Sequence, residues 1–279
     1  MSHPYIGLKV ALPTKHKKGE AVRAGFKGIL EIDLVEVEVD TDQLGTFSGE
    51  VARRGTPLET AIRKADLGAK SSGLKYAIAS EGTISNDAQV PILISDVEVM
   101  VFKDYEEDLV IVESHRSFEI NAARFETIDG NDIDHFLAQA DFPNHGIIAM
   151  GVDIKRTKPI KGITNHHALT SAIKTIRQNS PKVILENDFR AHFSPSRMAN
   201  IKETAKRLAL RISSQCPSCN CPGWGVVGYE KGVNCQACKR LNPDAIHREI
   251  LGCVRCDYRT TGEILFESLP AERCIWCNP

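Results

Sequence analysis

The sequence predicts an α/β body with a mixed central sheet and flanking helices, followed by a small cysteine-built module. Three observations lead there. Strand-type and helix-type periodicities alternate through residues 1–212, the pattern of layered α/β domains. Two apolar runs, Asp96–Phe102 and Leu109–Glu113, are joined by the acidic turn Asp104–Asp108 and read as an antiparallel pair, which makes the sheet mixed. All nine cysteines lie after residue 215, so residues 213–279 form a module of their own.

The elements follow in chain order. Tyr5–Leu12 is a strand closed by Pro13, and Thr14–Lys18 is a polar turn. Gly19–Phe26 has helical spacing through Ala21, Val22 and Phe26. Ile32–Val39 alternates as a strand, with Val35, Val37 and Val39 on one face. A long loop, Asp40–Gly55, comes next, and connections of that length are commonly functional. Thr56-Pro57 opens a helix to about Ser71, with N-cap and first-turn residues in the expected order. Leu74–Ala79 is a strand that delivers Ser80-Glu81-Gly82 at its end. After the antiparallel pair come a helix at Asp129–Ala140, a strand at Gly146–Val152 and a helix at Asn165–Arg177. A short buried strand, Lys182–Glu186, precedes the last body helix. Ser194-Pro195 caps that helix, which runs to Arg211 with Met198, Ile201, Ala205, Leu208 and Ile212 facing inward.

Four Cys-x-x-Cys turns supply the module's chemistry: Cys216/Cys219, Cys235/Cys238, Cys253/Cys256 and Cys274/Cys277. A two-residue gap lets both thiolates of one turn face the same tetrahedral ion, and two turns close a four-thiolate zinc site. Two structural zinc ions are expected. The spacing favours the first turn with the second and the third with the fourth, while the middle two turns could share an ion instead. Cys221 is left over, a bystander or a substitute for Cys219. Disulfides would need an oxidising compartment, and no secretory signal is evident, so a reducing, cytoplasmic setting is expected.

Composition narrows the partners. With 279 residues and 42% hydrophobic content, the chain can bury the core of one large domain and a small module. A net charge of −1 gives no global field for nucleic acid, and 6% aromatic content is a sparse supply of stacking platforms. No apolar run reaches membrane-spanning length.

In the body, three clusters could carry chemistry. Thr14, Lys15, Lys17 and Lys18 lie between a strand and a helix N-terminus, where backbone N–H groups and ammonium groups suit a phosphate. A solvated turn is the plainer alternative. Glu59 and Lys64 follow on the next helix, where Glu59 could equally serve the helix dipole. Ser80, Glu81 and Gly82 place a carboxylate beside a residue that lets a ligand approach closely.

Taken in order, Thr14…Lys18-Gly-Glu-Ala-Val-Arg-Ala-Gly-Phe26, Thr56-x-x-Glu59-x-Ala61-x-x-Lys64-Ala65 and a strand closed by Glu81-Gly82 resemble the inosine/xanthosine triphosphate pyrophosphatase superfamily. The resemblance covers roughly residues 5–100 and implies a pyrophosphatase-like fold. It also implies a nucleoside triphosphate substrate, phosphate contacts from Lys15 and Lys18, and Mg²⁺ or Mn²⁺ held by Glu59 and Glu81. Asp42 and Glu50 are candidates for extra ligands or a general base. Lys15 stands where that superfamily has Asn. Over its whole length the chain resembles an uncharacterised bacterial family, through Asp42-Gln-Leu-Gly-Thr-Phe-Ser-Gly-Glu50, Ala79-Ser-Glu-Gly82, Phe142-Pro-x-His145-Gly146, Asp188-x-Arg190-Ala-His192-x-x-Pro-Ser-Arg197-Met and the cysteine-rich tail.

Arg190 and Arg197 suit bidentate phosphate or carboxylate contacts, and His145 and His192 could join them. His166-His167 point in different directions from a helix and are poor joint ligands. A competing function is a nucleic-acid- or protein-binding module that works through the zinc ribbons, above a non-catalytic body. Lys231, Lys239, Arg240, Arg248, Arg255, Arg259 and Arg273 would supply its basic face, although seven acidic residues of the tail offset them.

Overall fold

The computed structural model describes residues 3–15, 17–45, 51–153 and 157–278. The chain divides into two compact units, residues 1–108 with 112–209, and residues 109–111 with 210–279.

The first unit begins β1 (Lys9–Pro13), α1 (Gly19–Phe26), β2 (Asp33–Val37), α2 (Pro57–Ser72), β3 (Tyr76–Asn86), β4 (Ile94–Asp104) and, from Val112 onward, β5 (Leu109–Ser117). These strands make a five-stranded sheet in the order β2-β1-β3-β4-β5. β1 runs parallel to β2 and to β3, whereas β3 and β4 pair antiparallel from Tyr76↔Asp104 to Asn86↔Ile94. The mixed sheet expected from the sequence is therefore present.

α2 shows how local sequence sets this layer. Thr56 caps it reciprocally with Glu59, Pro57 opens it with a pre-set φ, and Gly73 ends it in the left-handed region at φ 70°. Ala61, Ala65 and Ala69 fall on one stripe and pack on Ala11, Ala77, Ala79 and Val101 of the sheet. Small side chains on both partners bring the helix in close. At Gly68 a Cβ would meet the Pro13 ring, so the closest approach needs the glycine.

A second sheet was not expected. β6 (Arg124–Thr127), β7 (Ile147–Gly151), β8 (Ile160–Ile163) and β9 (Val183–Asn187) form four antiparallel strands in the order β6-β9-β7-β8. Helices α3 (Asp134–Gln139) and α4 (His166–Arg177) cover it with Phe136, Leu169, Ala172, Ile173 and Ile176. α5 (Pro195–Ser213) buries Ile201, Ala205, Leu208 and Ile212, as its periodicity requires.

The second unit is built on a three-stranded antiparallel sheet of β10 (Gly225–Asn234), β11 (Leu241–Gly252) and β12 (Arg259–Ile264). Among the described residues no helix is long and apolar enough to cross a membrane.

Candidate functional site

The chain leaves β1 for β2 on one side and returns to β3 on the other, so the carboxyl ends of β1 and β3 border a topological switch point. Ligands of open α/β sheets bind in such crevices. Ala11 is opposite Ala77, which sets Ser80 level with the residues just past β1. Lys18, at the start of α1, reaches across from there. Its buried Nζ donates to Ser80 Oγ at 3.0 Å. Burial, and then the nearby Arg197 charge, bring this amine down to about 7.

Ser80-Glu81-Gly82 lies inside β3, not at its end as expected, because antiparallel pairing with β4 carries the strand on to Asn86. Alternation then splits the segment between two faces. On one, the buried carboxylate of Glu81 pairs closely with Lys64 Nζ and lies 3.1 Å from Arg53 Nε. Burial opposes its ionisation, but Lys64, Lys18 and Arg53 together hold its pKa below the ordinary carboxylate range. Arg53 also donates to Thr83 Oγ1 at 2.7 Å and to the Gly82 carbonyl at 2.8 Å.

On the other face, a Cβ at Gly82 would collide with the Glu98 carboxylate and the Arg197 guanidinium. Arg197, only 1% exposed, heads the fully buried large side chains. Its Nε donates to Glu98 Oε1 at 2.6 Å and its Nη1 to the Phe189 carbonyl at 2.5 Å. Asp96, two residues before Glu98 on β4, accepts from Asn200 Nδ2 at 2.9 Å. Burial and the Glu98 charge push Asp96 up to about 7. Asp96 Oδ1 and Glu98 Oε2 are buried with no hydrogen-bond partner among the described residues.

The raised Asp96 pKa has a stability consequence. The folded protein keeps this proton after the unfolded chain has released it near pH 4, so its contribution is full in acid and is lost as pH climbs to about 7. Asp96→Asn is expected to flatten that decline in urea titrations run between pH 4 and 8. An unchanged pH dependence would show that Asp96 ionises normally.

Several expected site residues are placed elsewhere. Glu59 is exposed and spends its carboxylate on the helix: Thr56 N donates to Glu59 Oε2 at 2.8 Å, and Glu59 N to Thr56 Oγ1 at 3.2 Å. These cap bonds hold its pKa below the usual range. It is a cap, and the structure does not bring it to Glu81. Thr56→Ala is accordingly expected to cost about 1 kcal/mol of stability by thermal melting. Lys15 is exposed and paired with Asp40 at 3.0 Å and Asp42 at 2.7 Å, so two residues expected to serve a ligand neutralise each other. Thr14 Oγ1 accepts from Lys18 N at 3.4 Å, a local turn bond. Glu50 lies outside the described residues.

Arg190, expected to meet a ligand, grips Asp188 with Nε at 3.0 Å and stacks over Phe193 at 4.6 Å, while Asp188 also accepts from Gly162 N at 3.0 Å. His192 is exposed with its ring against Phe193. His145 is buried between Asp141 and Ser196. Of the expected set among the described residues, Lys64 meets Glu81 on one face of β3, while Lys18, at Ser80, and Arg197, at Gly82, lie on the other. Arg53, Asp96, Glu98 and Asn200 were missed. The signal for two of them was present, since Asp96 and Glu98 interrupt a β-branched run at alternate positions.

In the second unit, eight cysteines gather into two tetrads. Cys216, Cys219, Cys253 and Cys256 form one, and Cys235, Cys238, Cys274 and Cys277 the other, with ligand atoms within 4.8 Å of one another in each. Sulfur pairs stand at 3.8 and 3.6 Å in the first and at 3.8 and 3.7 Å in the second. A tetrahedral zinc with bonds of about 2.3 Å sets its sulfurs about 3.8 Å apart, whereas a disulfide needs about 2.05 Å. Both tetrads can therefore hold a metal ion, and the thiols are free.

The sequential pairing is corrected. Turns one and three share a site, and turns two and four share the other. The antiparallel sheet dictates this: each strand carries the chain to the opposite end, so consecutive turns are separated and alternate turns meet. Backbone N–H groups of Arg255 and Trp276 reach Cys253 Sγ at 3.3 Å and Cys274 Sγ at 3.4 Å. Burial works against ionising Cys253, yet backbone N–H groups of Cys256 and Arg255 outweigh it and hold the thiol at about 6. Cys221 belongs to neither tetrad; its buried thiol donates to the Pro222 carbonyl at 3.4 Å, and burial pushes it up to about 11. Cys221→Ser is expected to leave metal content unchanged by elemental analysis.

Residues 64–279 match the family model described as a domain of unknown function, DUF6671. The match takes in Lys64, Glu81, Glu98, Arg197 and both cysteine tetrads, while Lys18 precedes it. No curated protein matches the chain.

Proposed function

The chain belongs to the DUF6671 family, a domain of unknown function, and on that footing we propose that its first unit binds and hydrolyses a phosphate ester while its second is held by two zinc ions. The observation that carries the first half is the buried charge cluster at the β1/β3 switch point. Lys64 and Arg53 flank the Glu81 carboxylate on one face of β3, Arg197 pairs with Glu98 on the other, and buried Lys18 feels the charges of Glu81, Glu98, Lys64 and Arg197, with Asp96 near half-protonation at neutral pH. A phosphate group entering there would restore the Lys18 charge that burial suppresses. Opposed pKa shifts in one crevice are also the mark of acid–base sites.

The resemblance to the triphosphate pyrophosphatases makes a nucleoside triphosphate the favoured substrate. Its metal pair does not fit as expected, because Glu59 caps a helix and Glu81 is enclosed by cations. The orphaned oxygens Asp96 Oδ1 and Glu98 Oε2 fit a cation better, and Mg²⁺ or Mn²⁺ held there would neutralise phosphate charge. Lys18 would bind the transferred group, Ser80 would orient Lys18, and Arg197 would keep Glu98 aimed. A screen of pyrophosphate and phosphate release over standard, deaminated and oxidised nucleoside triphosphates tests this reading. Metal-dependent turnover is expected, abolished by Lys18→Met and retained in Glu59→Ala. Silence across the panel, with no thermal shift from any nucleotide, would overturn it.

A second reading rests on the tail surface. Tyr229, Tyr258, Phe266 and Trp276 are exposed, with Arg240 over Trp276 at 5.5 Å and Arg273 over Phe266 at 5.1 Å. Aromatic platforms flanked by arginine can stack unpaired bases. Salt-dependent binding of single-stranded RNA by the full chain would favour it. We also infer a reducing compartment, the cytoplasm, and what supports this is that the tetrad cysteines are free thiols.

A further inference from the structure

At the start of α5, one residue before Arg197, three side chains of the first unit line up in hydrogen-bonded series. Asp141 follows α3, His145 precedes β7, and Ser196 sits in the first turn of α5. His145 Nδ1 is 2.9 Å from Asp141 Oδ2, and His145 Nε2 is 2.9 Å from Ser196 Oγ. The backbone N–H of Ser196 also points at Nε2, at 3.2 Å. An incoming N–H requires a lone pair, so Nε2 is the unprotonated nitrogen and Nδ1 carries the proton toward the carboxylate. The backbone N–H of Asn121 donates to Ser196 Oγ at 3.2 Å, which leaves the hydroxyl proton free to point at Nε2.

We propose that Asp141, His145 and Ser196 form a nucleophilic triad that accepts carboxylic esters, a second activity independent of the phosphohydrolase reading. Distances, tautomer and the order carboxylate–imidazole–hydroxyl meet the geometric requirements for serine activation. His145 Nε2 does cap the helix by accepting the Ser196 N–H, but capping does not account for the hydroxyl. A capping hydroxyl precedes the helix and accepts from its N–H groups, whereas Ser196 lies inside the first turn and accepts from Asn121, outside the helix. His145 is 3% exposed and so held in one orientation, while Ser196 is only half-buried. Hydrogen bonds from Asn144 and His145 keep Asp141 ionised, as an orienting carboxylate must be. The N-terminus of the long helix α5 favours negative charge developing at Ser196.

The chemistry balances without a cofactor. Ser196 Oγ bonds to the ester carbonyl carbon as its proton passes to Nε2. The carbon–alkoxy bond then breaks, and the leaving alcohol takes that proton. Water attacks the acyl-serine, giving a proton to Nε2, and the serine oxygen recovers it as the carboxylic acid departs. Ester and water become acid and alcohol.

Treating the full zinc-loaded protein with a fluorophosphonate tests the proposal, read by intact mass and peptide mapping. One adduct on Ser196 is expected, absent in Ser196→Ala and slowed by about 10²-fold or more in Asp141→Asn, where the tautomer is no longer fixed. Hydrolysis of p-nitrophenyl acetate should fall in parallel. Asp141 is partly exposed, with 45% of its side chain accessible, so its amide variant should fold. A folded protein with Ser196 unmodified, or one labelled equally fast in Asp141→Asn, would overturn the triad. The nucleotide screen has no bearing on either outcome.

Discussion

Chelation of the tail is expected to unfold residues 210–279, with loss of their β signal in circular dichroism and release of two zinc ions per chain. Four-thiolate zinc sites contribute apparent free energies of about 10–16 kcal/mol near neutral pH, more than a sheet of this size can supply alone. The interleaved pairing makes a sharper version of the experiment possible. Cys216→Ser with Cys253→Ser removes two ligands from one site only, so one ion should be lost and one retained. Pairing in sequence order would instead strip one ligand from each of two sites, weakening both. Cadmium-113 NMR of the variant separates these outcomes: one undisturbed four-sulfur resonance supports the alternate pairing, and two altered resonances refute it.

Arg197→Met is expected to destabilise the first unit by about 3–5 kcal/mol in urea denaturation. The pair it forms with Glu98 is almost wholly inaccessible, at 2% and 0% side-chain exposure. Removing the guanidinium leaves Glu98 as an unbalanced buried anion beside Asp96, whose own carboxyl burial and the Glu98 charge already drive toward the neutral form. Glu98→Gln should cost less, because an amide can still accept from Arg197. Combining Arg197→Met with Glu98→Leu should recover much of the loss, since the buried charge disappears from both sides. A double variant as unstable as the sum of the two singles would indicate that the pair holds the fold by geometry, not by charge balance. The same variant is expected to abolish any phosphate-ester turnover, which links stability and function at one residue.

The order of elements from β1 to β5 was legible because each carries its own periodicity and its own punctuation, as with Pro13, Pro57 and Gly73. β6 and β8 were not, since strands of four residues leave too short a pattern to separate from loop. Of the two roles the sequence offers Glu59, helix end or metal ligand through the resemblance, its carboxylate takes the first in the capping box Thr56-x-x-Glu59. Asp96 and Glu98 escaped notice because valine and methionine around them read as plain sheet core. The tail's ligands were legible down to the residue. Their partnership was not, because Cys-x-x-Cys spacing describes a single turn, whereas who meets whom is decided by strand direction. Arg53 lies within a loop that periodicity cannot address, and only the fold brings it to Glu81.

The crossing of the two tetrads also fixes the order in which metal can be taken up during synthesis. Once Cys256 has left the ribosome, the first ion has all four of its ligands, while Cys235 and Cys238 must wait as an open pair until Cys277 follows. A nascent chain therefore carries a half-built claw through the final stage of translation. Its thiols are exposed to oxidation or to a competing ion for just that interval, and the last turn to emerge is the latch that ends it.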